Sequence, residues 1–230
     1  MESPKYNRTF HFPWSEGATN DDKIVTSVEK LIGVPIVITE KMDGSNVSLE
    51  ADGCYARTHA NAPKHESFDM LKAVHASVKY DIPKEYQLFG EWCYAQHSIA
   101  YSELPGYFLL FNVRELNTKT SNTLPNMWLS WDGVEAWSEL VGLPTVPVLF
   151  KGIVSSEKEL KELIESLMIQ SSVCGGIREG VVARMADEFF DKDFSSYVMK
   201  CVRANHVQTS DHWKDQEIIR NKLKLANAGP

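Results

Sequence analysis

The sequence predicts an α+β fold of mostly antiparallel sheets with flanking helices, and three observations carry that reading. Short β-branched runs recur close together, as in Val34–Thr39, Asn46–Ala51 and Cys54–Thr58. The last two are joined by Asp52-Gly53, a hairpin signal. Other, longer stretches instead repeat apolar residues at helical spacing. Hairpin turns with interspersed helices point to antiparallel sheets covered by helices, and no repeat, low-complexity tract or linker interrupts the pattern.

The elements follow in order. Glu66–Tyr80 reads as a helix, with Phe68, Leu71, Val74 and Val78 on one stripe. Two strands come next, Gln87–Tyr94 and Tyr107–Arg114. Asp132–Val141 is expected to be a helix capped by Asp132, with Val134, Trp137 and Leu140 on one side. Ser155 and Ser156 precede a helix over Glu157–Ile169, whose stripe is Leu160, Leu163, Ile164 and Leu167. Strands Gly180–Arg184 and Tyr197–Val202 follow, and a helix from Ser210 to Leu225 is expected to close the chain. The organisation expected is one domain over residues 1–205 and a short helical tail over 206–230.

Composition limits the function classes. The chain has 230 residues, 43% hydrophobic and 24% charged, enough for one substantial core. Its net charge of −7 argues against a protein that simply coats nucleic acid, because phosphate binding needs clustered Lys and Arg. An enzyme with a local basic groove is still compatible. Cys54, Cys93, Cys174 and Cys201 lie far apart without Cys-x-x-Cys, which argues against a zinc site and a disulfide framework. The polar N-terminus, broken by Pro4 and Pro13, has no signal-peptide core. The most apolar runs, 34–38 and 107–113, are too short to cross a bilayer. A reduced cytoplasm is the expected compartment, with no membrane and no obligate protein partner.

The chemistry sits in an ordered set of residues. Lys41-Met42-Asp43-Gly44 follows the run Val34–Thr39. Alone, Lys-x-Asp-Gly is as well explained by a plain hairpin turn. Arg57 stands sixteen residues later, at the end of the hairpin's second strand. Glu91 lies in Phe89-Gly90-Glu91, Phe111 in the run 107–113, Glu179 opens Glu179-Gly180-Val181-Val182-Ala183-Arg184, and Lys200 follows in Tyr197-Val198-Met199-Lys200. Singly, Phe111 would be core, Glu91 a sheet-edge carboxylate, and Arg57 and Lys200 solvated strand ends. Their joint order on predicted strands overturns those readings.

With these residues in view, the chain resembles the covalent nucleotidyltransferases: DNA ligases, RNA ligases and mRNA capping enzymes. Five motifs match between about residues 35 and 203, at Lys41–Gly44, Phe89–Glu91, Phe108–Val113, Glu179–Arg184 and Lys200. DNA ligases and capping enzymes carry an OB-fold after the last motif. Only thirty residues follow Lys200, too few for a five-stranded barrel. The expectation is therefore an ATP-grasp-like ligase domain without an OB-fold, similar to ATP-dependent RNA ligases of the bacteriophage type. That likeness makes a phage gene one source. The stretches Arg8–Ser15 and Arg203–Val207 also look like phage and bacterial RNA-ligase proteins.

The resemblance implies roles. Lys41 is the nucleophile on the α-phosphate of ATP, and Lys200 contacts that phosphate. Glu91 takes the ribose hydroxyls and Phe111 stacks on the purine. Glu40 reaches the base edge, and Arg57 offers a planar fork to a phosphate or ribose oxygen. Glu179 and Asp43 are the carboxylates that could hold Mg2+ or Mn2+, directly or through water. A lysine amine has a free pKa of about 10.4 and must lose its proton to attack, so a neighbouring cation or metal is expected to depress it. The implied reaction forms a lysyl-AMP, passes AMP to an RNA 5′-phosphate, and joins that end to an RNA 3′-hydroxyl.

Some points stay open on sequence alone. Arg8, His11, His59 and His97 are candidates for gripping the RNA phosphate. Where relatives read Lys-x-Lys, this chain has Lys200-Cys201-Val202-Arg203, so a second cation is absent or displaced to Arg203, whose strand parity points it to the other face. The tail carries Trp213, Lys214, Arg220, Lys222 and Lys224, and is expected to pack on the core through Trp213, Ile219 and Leu223 rather than to contact RNA. A ligase for DNA or hybrid nicks, or a non-catalytic nucleotide- or RNA-binding scaffold, are the competing readings.

Overall fold

The computed structural model describes residues 5–57, 65–117, 125–204 and 218–225. Its elements in chain order are β1 (Phe10–His11), β2 (Pro35–Lys41), β3 (Ser45–Glu50), β4 (Gly53–Ala56), α1 (Asp69–Val78), β5 (Tyr86–Trp92), β6 (Phe108–Glu115) and β7 (Met127–Trp128). They continue with α2 (Trp131–Val141), β8 (Val148–Ile153), α3 (Glu157–Met168), β9 (Gly180–Met185), β10 (Phe189–Phe190), α4 (Phe194–Tyr197) and β11 (Val198–Val202).

Two sheets result, with strand orders β1-β11-β9-β2-β8 and β10-β7-β6-β5-β3-β4. Every pairing is antiparallel except that of β1 with β11. The α+β class is as the sequence predicts, and the described residues form no closed barrel. The chain passes from the first sheet to the second between β2 and β3, over Met42–Gly44. Lys-x-Asp-Gly is thus not a hairpin turn but the crossover between the two sheets.

Each sheet has its own core. On the first, Ile36 and Ile38 of β2, Val181 and Ala183 of β9, and Met199 and Cys201 of β11 pack against Leu160, Ile164 and Leu167 of α3. On the second, Val47, Leu49, Leu88, Leu109 and Val113 pack with Leu71 and Val78 of α1 and Val134 of α2. A smaller aromatic cluster of Phe89, Trp128, Phe189, Phe194 and Val198 joins the two. Burial of this much apolar surface is the main favourable term in folding.

Buried Arg184 ties the two sheets together, and buried Arg114 braces the second sheet from within. Arg184 of β9 donates to the side-chain oxygen of Asn112 on β6 and to the Leu129 carbonyl. Arg114 of β6 pairs with Asp191 at 3.1 Å and donates to Gln87 at 2.8 Å. Burial lowers the Arg184 guanidinium pKa to about 10, which still leaves it charged at neutral pH. Buried charges are tolerated only with such partners.

Three local expectations are corrected. The cap of α2 is Ser130, whose Oγ accepts the Gly133 N–H at 3.2 Å, while Asp132 lies in the first turn. There it still complements the helix dipole. Leu140 on that helix is 62% exposed rather than part of the stripe. Residues 218–225 form no helix: they run extended, bridging Ala95 through Arg220 and Leu104 through Leu223. Ile219 and Leu223 are exposed, and the residue buried there is polar Asn221. Trp213 and Lys214 lie outside the described residues. Strand β8 was not expected from sequence, since it is a sheet edge whose residues are exposed or half-buried without a clean alternation.

Candidate active site

Strand alternation assembles the site. Lys41 lies opposite Gly180, Thr39 opposite Val182, Val182 opposite Lys200, and Lys200 beside His11. Directly paired residues share a face and residues two apart share it too. Lys41, Lys200 and His11 therefore stand on one face of the first sheet, the one away from α3. Glu40, paired with Val181, falls on the opposite face.

Lys41 ends β2, and its Nζ donates to both carboxylate oxygens of Glu179, at 2.7 and 2.8 Å. The Lys41 side chain is 27% exposed and that of Glu179 only 6%. Burial disfavours the ammonium, but the carboxylates of Glu179, Glu91 and Asp43 outweigh it and raise the Lys41 pKa. That reverses the expected depression: in this state Lys41 is a held ammonium. Lys200 goes the other way, its pKa lowered by burial and by the positive charges of Lys41 and Arg57, against the pull of Asp22 and Glu179.

Glu91, near the end of β5, accepts the Gly44 N–H at 3.2 Å. Its pKa is raised to about 8, chiefly by burial; Lys41 opposes the rise, and the Glu179 and Asp43 carboxylates add to it. The close approach explains the motif glycine. A Cβ on Gly44 would lie 2.6 Å from the Trp92 carbonyl oxygen and 3.1 Å from Glu91 Cγ. Gly180 is required for the same reason, with the Cys201 carbonyl oxygen 2.3 Å from where its Cβ would stand.

Asp43 has a structural post. Its Oδ2 accepts the N–H groups of Ser98 and Ile99, at 2.7 and 2.8 Å, and its own N–H donates to the Tyr101 hydroxyl at 2.8 Å. Asn221 holds that loop in turn: its Oδ1 accepts the Tyr101 N–H at 2.8 Å, and its Nδ2 donates to the Cys93 carbonyl at 2.9 Å. No sequence pattern marks Tyr101 or Asn221, because their partners are backbone groups distant in the chain. Asn221→Ala leaves several buried polar groups unpaired. We expect it to cost about 2 kcal/mol and to lower Tm by about 4–8 °C in thermal denaturation.

The remaining site residues divide. In β6, residues 108–114 are buried except Phe111, which is half-exposed. The register skips at Phe111, between the pairs Gly90–Leu110 and Phe89–Asn112. This bulge frees its ring from the regular alternation. Arg57, just past β4, is exposed and near enough to Lys200 to affect its charge. Glu40 is fully buried. Its Oε2 accepts the Val173 N–H at 2.9 Å and lies 3.7 Å from Arg178 Nε, while Oε1 has no hydrogen-bond partner.

Arg203 lies one residue past β11 and donates its backbone N–H to the Glu179 carbonyl at 3.1 Å, with Nε and Nη2 buried and without hydrogen-bond partners. Of the candidate phosphate contacts, Arg8 is largely exposed at the cluster's edge, His11 is buried beside Lys200, and His97 is half-buried next to Ser98. His59 lies outside the described residues.

Among the described residues no three His, Cys, Asp or Glu converge as a protein-only metal cage. Glu179 alone already holds a cation, the Lys41 ammonium, with both oxygens. One or two carboxylates completed by substrate phosphates is the usual manner of holding Mg2+, so the donor set fits that ion.

The RNA ligase family model matches residues 34–202, most of the chain and all the motif residues. A search of curated protein sequences returns no match. Among solved structures, a point mutant of Naegleria gruberi RNA ligase with ATP and Mn matches with a TM-score of 0.51 at 15% identity, over 79% of this chain and 53% of that one. Another mutant of that ligase, also with ATP and Mn, matches with a TM-score of 0.54 at 15% identity, over 90% and 63%. A protein of Aquifex aeolicus assigned as an ATP-dependent DNA ligase matches with a TM-score of 0.54 at 17% identity, over 88% and 50%. The chain spans about half the length of the first and third of these. At such identities the likeness speaks for the fold alone. The family match, which spans most of the chain and takes in all five motifs, establishes that the chain belongs to the RNA ligase family.

Proposed function

We propose that the protein is an ATP-dependent RNA ligase whose nucleophile is Lys41. The observation that carries this is the Lys41–Glu179 pair at the sheet crossover, flanked by Glu91, Lys200 and Arg57, inside the family match. Naegleria gruberi RNA ligase has been solved with ATP and Mn, which supports ATP and a divalent metal as the cofactors here.

Lys41 must exchange its proton for phosphorus. Its Nζ forms the bond to the α-phosphorus as the bond to pyrophosphate breaks, and the proton leaves along the existing hydrogen bond toward Glu179. A bound divalent metal supplies charge neutralisation on the phosphates; Glu179 is the carboxylate that would hold it, and Asp43 contributes by fixing the 96–99 loop. Lys200 and Arg57 take phosphate oxygens. Glu91, at a pKa of about 8, is largely protonated at neutral pH and can both donate to and accept from ribose hydroxyls. Phe111, half-exposed and packed edge-on against Tyr6 at 5.2 Å, offers its ring to the purine. AMP then passes to an RNA 5′-phosphate, and an RNA 3′-hydroxyl displaces it.

The test is incubation with α-labelled ATP and magnesium, followed by a denaturing gel. Label retained on the protein is the expected result. No label with ATP, GTP or NAD across several metals overturns the reading. Because the fold is shared with a DNA-ligase structure, nicked RNA, DNA and hybrid duplexes supplied next separate the substrates.

A further inference from the structure

The N-terminal segment reaches the site through one carboxylate. Residues 11–17 strap β11: Phe12 N–H donates to the Lys200 carbonyl at 2.9 Å, Gly17 N–H to the Val202 carbonyl at 2.8 Å, and Val202 N–H to Ser15 Oγ at 3.0 Å. Ser15 Oγ also contacts Nδ1 of buried His11 at 2.8 Å. The chain then turns back, and Asp22 Oδ1 lands among an imidazole, a guanidinium and an ammonium. It lies 3.3 Å from His11 Nε2, 3.6 Å from Arg8 Nη2 and 3.8 Å from Lys200 Nζ.

Asp22 is itself fixed. Its Oδ2 accepts the Thr19 hydroxyl at 2.9 Å and the Thr19 N–H at 3.2 Å, and its own N–H donates back to the Thr19 carbonyl at 3.0 Å. The Thr19 bonds and the charges of Lys200 and His11 overcome partial burial and hold its pKa near 2, so it is anionic throughout the working range. Lys41 and Arg57 both disfavour the Lys200 charge, and Asp22, ahead of Glu179, opposes them. Glu179 already has both oxygens on Lys41.

We propose that Asp22 is a positioning residue for Lys200: a rigid N-terminal carboxylate, 3.8 Å from its Nζ, that holds the lysine aimed toward Lys41 and Glu179, so that the strap and strand β11 act as one unit in nucleotide transfer. This rests on the reading that Lys200 serves the nucleotide. It makes the segment before the family-matched region part of the site. Thr19-x-x-Asp22 is the only sequence trace of the device, and nothing in that spacing says which distant lysine it meets.

The full-length protein tests this in two ways. First, lysyl-AMP formation is followed in single turnover for wild type, Asp22→Asn, Lys200→Ala and the double variant, with Tm measured for each. Asp22→Asn is expected to slow the step on the order of tenfold with Tm nearly unchanged, and to have no further effect once Lys200 is gone. Thr19→Val, which frees the carboxylate without removing its charge, should give a smaller loss in the same direction. Additive effects of Asp22→Asn and Lys200→Ala overturn the proposal, as does a loss that merely tracks Tm.

Second, in protein labelled with 13Cε-lysine, the Lys200 resonance, identified by its absence in Lys200→Ala, should lose order in Asp22→Asn. This readout needs no catalysis. If wild type forms no lysyl-AMP but Lys200 still loosens, the ligase reading fails and the positioning survives; an unmoved Lys200 overturns the positioning by itself.

Discussion

Lys41→Ala is expected to abolish labelling from ATP completely and, at the same time, to destabilise the fold. The first effect follows because, among the described residues, Lys200 is the neighbouring amine, and it lies two strands away in the sheet, tied to Asp22. The second follows because the substitution strips the nearly buried Glu179 carboxylate of its ammonium partner, in a site that also contains Glu91 and Asp43. Removing one member of a buried pair costs about 3–5 kcal/mol. The 27% exposure of Lys41 reduces that figure, and we expect about 2 kcal/mol. Lys41→Ala combined with Glu179→Gln should be more stable than Lys41→Ala alone, since the orphaned charge is then gone. Thermal denaturation of the four members of the cycle measures this coupling. A double variant less stable than Lys41→Ala would contradict the charge argument.

Glu91→Gln is expected to impair nucleotide transfer while stabilising the protein, and its stabilising effect should grow with pH. The sign follows from the pKa near 8 in the fold against about 4.5 in the unfolded chain. Between those values the folded state holds a proton that the unfolded state has lost, so stability falls as pH rises from about 5 to 8. Each pKa unit corresponds to about 1.4 kcal/mol, and the neutral amide escapes this penalty. Denaturant unfolding at pH 5 and pH 8.5 should therefore show a difference between variant and wild type of about 2–4 kcal/mol at the higher pH and little at the lower. A difference independent of pH would mean that Glu91 is already ionised in the folded state. The strain of keeping a carboxyl among carboxylates is the kind of local cost found where sites bind charged ligands.

These two residues show how the sequence and the fold share the explanation. The five-motif order, the α+β class and most strand and helix positions were legible from the chain, because alternation and helical spacing are local properties that burial enforces everywhere. The motifs were identifiable for a related reason: their order along the chain is a property of the sequence itself, and the family model matches the same stretch. The errors at the sequence level are instructive. Residues 210–225 have helix-compatible spacing, yet 218–225 run extended, because Asn221 satisfies three backbone groups of the 93–101 loop and that tertiary demand outweighs propensity.

What the sequence determined by itself was the family motifs and the strands on which they stand. Only the tertiary structure decided their states. Pairing β2 to β9 places the Lys41 amine on Glu179, so the amine is held charged rather than free. Packing β5 against the crossover at Gly44 buries Glu91 among other carboxylates and raises its pKa. Folding the N-terminal strap along β11 brings Asp22 to Lys200. Protonation and orientation depend on distance and dielectric between residues far apart in the chain, and no local pattern encodes those.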